Sequence, residues 1–319
     1  MTVTDHLHAL YRLPAHTFPG PDGRTDDLPD PEAFAWRVTS DVYDAEEDWT
    51  KAFARFCSAV DTTRVRALIV GAWQEAYDTD ASDVIEALVA ARDRFPALRA
   101  VFLGDMVGEE CEISWINQTD VTPLLAAFPA LEELGVRGGS GLVFPAVTHR
   151  ALRRLVIETG GLPAEVVRGV GGSDLPELVH LDLWLGTPEY GGDSEVADLE
   201  PILSGARLPN LRHLALRNSE IQDAVAAAVA SAPVVARLEV LDLSMGVLTD
   251  EGAAALLGGQ PLTHLKKLDL HYHYLSESLQ ERVRRTVETA GVEVDLDHDD
   301  AEEDSDDDGT PWRYVAVGE

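Results

Sequence analysis

The chain has 319 residues with 57 acidic side chains against 25 basic ones, a formal charge of −32. A surface that negative repels phosphate backbones and anionic lipid, which argues against nucleic-acid and membrane partners and favours cationic proteins or peptides. No 18-residue apolar span occurs, residues 1–8 lack the basic and apolar regions of a signal peptide, and Cys57 and Cys111 lie far apart without CxxC spacing; a cytosolic protein with two buried thiols and no disulfide framework is expected.

Residues 1–60 read as an N-terminal cap. The Pro- and Gly-rich stretch 13–30 suggests a surface loop, the alternating run 33–40 a strand, and 49–56 a helix. From there one phrase recurs, an apolar lead followed by apolar residues three and five positions later, as in Leu178-Val-His-Leu181-Asp-Leu183. Its leads are Val65, Leu98, Leu131, Leu152, Leu178, Leu211, Leu238 and Leu265, separated by 33, 33, 21, 26, 33, 27 and 27 residues. Alternation within each phrase predicts a strand. Between phrases, 82–94, 221–230 and 278–290 carry helical periodicity, the last with Ser278 and Glu281 at capping-box spacing. The linkers 138–149 and 159–174 are glycine-rich and offer at most a turn of helix, and 291–296 looks like a closing strand.

These spacings match the leucine-rich repeat, a unit that buries its apolar edge only by stacking on neighbours. The expected fold is α/β, a leucine-rich repeat horseshoe of about eight repeats over residues 61–296, with a parallel concave sheet and convex helices. Residues 297–310 then read as an acidic disordered linker, because ten acids between 295 and 308 repel one another and supply no core. The segment 311–319, Pro-Trp-Arg-Tyr-Val-Ala-Val-Gly-Glu, favours β structure and invites docking on this solenoid or on a partner.

Residues 238–257, Leu-Glu-Val-Leu-Asp-Leu-Ser-Met-Gly-Val-Leu-Thr-Asp-Glu-Gly-Ala-Ala-Ala-Leu-Leu, resemble the ribonuclease-inhibitor-like class of leucine-rich repeats. The usual asparagine of the inner turn is missing; Trp73, Met106, Gly139, Gly160, Gly186, Ser219, Gly246 and His273 stand in that slot. Water, glycine turns or Ser219 must then serve the backbone groups an asparagine ladder would bond. The whole chain also resembles a bacterial cytosolic leucine-rich repeat family with no assigned activity, through residues 104–118, Leu183-Trp-Leu-Gly186 and Leu270-His-Tyr-His-Tyr-Leu275. That resemblance implies an accessory role near a peptide or small-molecule modification pathway and carries over no catalytic residue.

On such a sheet alternate strand residues face the concave side. The later repeats place His180, Asp182 and Trp184, then His213 and Arg217, Asp242 and Ser244, and Lys267, Asp269 and His271 there, with Tyr272 just beyond. Earlier repeats place Ala67, Ile69, Ala100 and Phe102 in the same slots. An apolar half beside an acidic, His- and Trp-bearing half predicts a partner-binding surface, unless the cap covers Ile69 and Phe102. Asp242 and Asp269 should be adjacent, with His180, His213, Lys267 and His271 at hand to neutralise them. A metal triad of Asp269, His271 and His273 is disfavoured because His273 occupies the inner turn, and a Ser244, His213, Asp242 hydrolase trio because two members share one strand. In 105–118 an acidic run precedes Ile113 and Trp115, which suggests a flap tucked into the solenoid or, alternatively, a cation or partner loop. No Gly-rich phosphate loop, HExxH or paired CxxC occurs.

The expected function is therefore non-enzymatic: a scaffold without cofactor or metal that binds a basic protein or peptide on its concave face. Two alternatives remain, a metal-assisted or accessory subunit of a modification pathway and an inhibitor or immunity-type protein for a basic partner. The sequence leaves the oligomeric state open.

Overall fold

A computed structural model of the chain describes residues 3–301, 303–305 and 311–319. Twelve strands form one sheet in chain order: β1 (Ala9–Leu10), β2 (Leu13–Thr17), β3 (Ala35–Val38), β4 (Ala67–Val70), β5 (Ala100–Leu103), β6 (Glu133–Arg137), β7 (Arg154–Glu158), β8 (His180–Gly186), β9 (His213–Ser219), β10 (Val240–Asp242), β11 (Lys267–Asp269) and β12 (Glu293–Asp295). β1 runs antiparallel to β2, and every later pair is parallel. The recurring phrase sets the register. Its second apolar position forms one unbroken row from Leu68 through Val101, Leu134, Leu155, Leu181, Leu214 and Leu241 to Leu268.

Parallel strands need return segments, and these hold the helices α1 (Trp49–Ala59), α2 (Ser82–Ala90), α3 (Thr122–Ala127), α4 (Ala164–Gly172), α5 (Val196–Ser204), α6 (Gln222–Val229), α7 (Asp250–Gly258) and α8 (Glu277–Val287). Their buried residues join the strand leucines in one continuous core. The alternate strand residues form separate apolar clusters that no α-helix enters. The molecule is thus a mixed α/β stack with a helix-bearing and a helix-free face, compatible with a repeat solenoid. Among the described residues no helix is long and apolar enough to cross a membrane.

Several local expectations are corrected. Residues 13–17, read as loop because of their Pro and Gly neighbours, form β2; Pro14 sits opposite the two-residue β1, at the sheet's edge, where a missing N–H costs little. The 159–174 linker holds nine-residue α4, which despite Gly169, Gly171 and Gly172 still buries Val166, Val167 and Val170. Ser276, not Ser278, caps α8, its hydroxyl accepting from Leu279 N–H. The 297–310 run departs from disorder at Glu303–Ser305, which form β13 antiparallel to β14 (Pro311–Arg313); residues 302 and 306–310 lie outside the described residues.

Where asparagines would bond the inner turns, other side chains serve. Gln118 Nε2 donates to Arg137 O at 2.8 Å, Gln222 Nε2 to Leu216 O at 2.9 Å, and Thr159 Oγ1 to Trp184 O at 2.9 Å. His273 Nδ1 accepts from Leu275 N–H at 3.1 Å while Nε2 faces Leu296 O at 3.3 Å, as its inner-turn slot predicts.

Candidate functional site

The first half of the helix-free face is filled by the chain itself. Leu7, Leu10, Tyr11, Leu13 and Ala15 pack on Ala35, Ala67, Ile69, Ala100 and Phe102. The N-terminal strap is pinned by Asp105, which is fully buried. Its carboxylate accepts from Arg37 Nε at 2.7 Å and from Leu7 N–H at 3.0 Å, and Arg137 Nη1 lies 3.5 Å away. Arg137 in turn pairs with Glu158 at 2.8 Å. The apolar patch expected to meet a partner is therefore already covered, because Ile69 and Phe102 gain more from a tethered segment than from a free one.

Over the second half, the charged residues predicted for the site come together and satisfy one another. Arg217 on β9 bonds both oxygens of Asp182 on β8 at 3.0 and 2.7 Å, lies 3.7 Å from Asp242 on β10, and stacks over Trp184 at 5.1 Å. Burial works against the guanidinium's charge, but Asp182 and Asp242 outweigh it and raise its pKa. Asp242 and Asp269 are direct neighbours in register. Burial, with Asp269 adding to it, pushes Asp242 up, against Arg217 and two bonds from Ser244. Burial also opposes ionisation of Asp269, yet bonds from His271 at 2.7 Å and Lys267 at 2.8 Å hold it well below the usual range. His271 is raised by the same bond.

His180 and His213 do not neutralise these carboxylates. They stack on each other at 3.8 Å, and burial first, with nearby arginines, pushes them down to about 2 and about 4. Arg217 takes the role expected of them. The metal grouping also differs from the one drawn from sequence: His273 points to Leu296 and stacks on His298, whereas Asp269, His271 and Asp295 bring ligand atoms within 4.8 Å. The Lys267 ammonium already stands there, 2.8 Å from Asp269 and 3.8 Å from Asp295.

Beside this network lies the segment 314–319, in extended contact with the face. Asn218 is its clamp: Oδ1 accepts from Val317 N–H at 2.9 Å and Nδ2 donates to Val317 O at 2.6 Å, so one side-chain amide pairs with both peptide groups as a neighbouring strand would. Ala316 N–H donates to Met245 O at 2.8 Å, Ser114 Oγ to Gly318 O at 2.5 Å, and Tyr190 OH to Glu319 Oε1 at 2.7 Å. Ala316 and Val317 are buried against Ile113, Trp184, Met245 and Tyr272.

Two backbone features shape this strip. Asn218, Met245 and Tyr272 all adopt left-handed φ, +54°, +66° and +53°, at equivalent repeat positions. Left-handed φ costs a residue such as Met245 or Tyr272 about 1–2 kcal/mol, whereas asparagine tolerates it. Gly160 is required by close approach, since a Cβ there would lie 2.1 Å from both Gly318 O and Ser114 Oγ.

Of the predicted residues, Trp184 and Tyr272 touch this segment, while the Asp, His, Arg and Lys residues form the floor beside it. Sequence reasoning missed Asn218, Met245, Ser114 and Gly160. The signal was Asn218 itself, one position before the slot searched for an asparagine. The 105–118 flap is half as expected: Ile113 is buried, but Trp115 is 58% exposed because the 3₁₀ turn that inserts Ile113 and offers Ser114 turns the next side chain outward.

The fold and face together define a mixed α/β protein with a mostly parallel twelve-stranded sheet and a peptide-bearing helix-free face. The chain is similar to a crystal structure of a Bacteroides fragilis protein, at 29% identity and TM-score 0.75 over 86% of this chain and 74% of that one. An internalin from Listeria monocytogenes aligns at 12% identity and TM-score 0.31, over 73% of this chain and 67% of its own. No family model matches the chain, and no curated protein does.

Proposed function

We propose that this chain is a leucine-rich repeat solenoid of the ribonuclease-inhibitor-like kind that binds a protein or peptide partner on its helix-free, concave face and performs no chemistry on it. The observation that carries this reading is the Asn218 clamp on Val317, a device for holding extended backbone. His180 Nε2 and Trp184 Nε1 add to it: both are buried on β8 with no hydrogen-bond partner among the described residues. A basic partner remains the expectation from a net charge of −32, with the acidic surface steering its approach. The buried thiols of Cys57 and Cys111, pushed up to about 11 mainly by burial, suit a reducing cytosol.

The test is direct. A chain ending at residue 310 is titrated with a labelled peptide of residues 311–319, followed by anisotropy. Saturable binding that weakens on Asn218→Gly supports the reading; no binding by the folded truncated chain overturns it. The Asp269, His271, Asp295 grouping favours the second reading, a metal-assisted accessory subunit, but Lys267 supplies a cation there already. Stoichiometric metal in the purified protein, lost on His271→Ala, would replace the scaffold reading with that one.

A further inference from the structure

Against its overall charge, the molecule gathers arginines in one groove. Two adjoining cavities of about 420 and 440 Å³ share Tyr11, Arg12, Glu133 and Arg153, with Arg66 lining the first and Arg154 the second. Strand pairing assembles them. Arg99 N–H donates to Arg66 O, Glu132 N–H to Arg99 O and Arg153 N–H to Glu132 O, so these four positions step along one edge of the sheet at strand spacing. Arg154 follows at the start of β7, and Arg12 is carried over the edge by the β1–β2 turn, where Tyr11 and Arg12 both adopt left-handed φ. The Arg66 guanidinium lies 5.1 Å over the Tyr11 ring.

Two of the three carboxylates lining the cavities are drawn elsewhere. Glu132 faces Arg99 at 3.7 Å, and Glu158 bonds Arg137 at 2.8 Å. Glu133 stays between Arg154 and Arg12, its carboxyl raised mainly by burial. Arg153 reaches Glu177 at 3.9 Å, where both side chains are half exposed. Among the described residues no carboxylate comes within the 4.0 Å ion-pair distance of Arg12, Arg66 or Arg154. In a chain with 57 acids, each cavity is lined by three arginines against two glutamates, which leaves a local positive field with a shape. Guanidinium forks match carboxylate and phosphate oxygens in pairs, and cavities of a few hundred cubic ångströms are the ordinary size of small-molecule sites.

We propose that this groove binds a small polyanion, a molecule bearing two or more carboxylate or phosphate groups. The site is separate from the segment bound at Asn218 and does not rest on the partner reading. Calorimetry at low salt with citrate and with pyrophosphate tests it and separates the two sources of negative charge. The expected result is one-to-one binding of at least one probe with Kd below about 1 mM, weakening as salt is added. Arg66→Gln and Arg154→Gln, exposed substitutions that leave the core intact, should each weaken binding about ten-fold or more, the loss of one charge-assisted contact. Arg282→Gln, exposed on α8, should leave it unchanged. Failure of both probes to bind, or an equal loss in the Arg282 variant, would overturn the proposal.

Discussion

Replacing Asn218 by glycine isolates the clamp from the backbone that carries it. Glycine accepts the +54° φ without strain, so the turn survives while the amide is deleted. Two hydrogen bonds to Val317, of 2.9 and 2.6 Å, disappear, and the third, to Thr159 O at 3.3 Å, goes with them. Each bond contributes about 1 kcal/mol net, and leaving the buried Val317 groups unpaired adds about 1–3 kcal/mol. Partial rehydration of the strip recovers some of this, so docking should weaken by about 2–4 kcal/mol, a shift of about 30- to 1000-fold in the opening equilibrium. Hydrogen exchange resolved at the Ala316 and Val317 amides reads that shift directly, with the Leu214 and Leu216 amides of β9 as the internal reference. Selective loss of protection at 316 and 317 is expected. Unchanged protection there, or equal loss in β9, would refute the clamp.

Gly160→Ala attacks the same contact from the other side: its methyl would overlap Gly318 O and Ser114 Oγ at 2.1 Å, so proteolysis of the 311–319 segment should speed up while the core stays resistant, and wild-type cleavage rates would contradict the docking described. Asp105→Asn removes the charge shared by partly buried Arg37 and buried Arg137 and should cost about 3–5 kcal/mol in urea unfolding; a cost below about 1 kcal/mol would show that the strap is held by apolar contact alone. For pH, His180 and His213 are held at about 2 and about 4 against an ordinary 6.5, so the unfolded chain takes up protons first, and stability present above pH 6.5 is lost as pH falls from there toward 4 for His213 and on toward 2 for His180. His271 runs the other way, its raised pKa giving stability below 6.5 that fades as pH rises through the raised value. Urea midpoints across pH should show both limbs, with His213→Gln flattening the acid limb and His271→Gln the alkaline one; limbs unaffected by these variants would sink the assignment.

The leucine phrase made the sheet legible because its period of two and its fixed lead admit one register: Leu181 and Leu214 are paired because any slip would expose both. The neighbours Asp242 and Asp269, and the column through Arg217, followed from that register. What stayed hidden depended on distance along the chain rather than on pattern. Asp105 meets Leu7 across 98 residues, and Asn218 meets Val317 across 99. No local periodicity announces such pairs. The exposed Phe102 and Tyr272 of an isolated strand pattern looked like a surface awaiting a partner, and only the placement of both ends of the described chain shows them covered. The histidines were misjudged for a related reason: stacking of His180 on His213 requires their common register and their burial at once, and only the first can be read from spacing.

These coverings change where the negative charge can act. On the helix-free face Asp182, Asp242, Asp269 and Asp105 are each bonded by an arginine, lysine, histidine or serine, so the floor of the face is close to electrically balanced. The surplus therefore resides elsewhere, in the 295–308 run and on exposed carboxylates outside the floor. Charge at such positions governs encounter rate and its salt dependence more than residence time. A basic partner would then be gathered by the rim but held by what replaces or joins the 314–319 segment at Asn218 and Met245. Charge reversal at Asp242 or Asp269 would test the fold more than the recognition. Neutralising Asp299 and Asp300 should slow association while leaving dissociation nearly unchanged, whereas neutralising Glu303 or Asp304, which bond Arg313 and Tyr314, would loosen the docked segment itself.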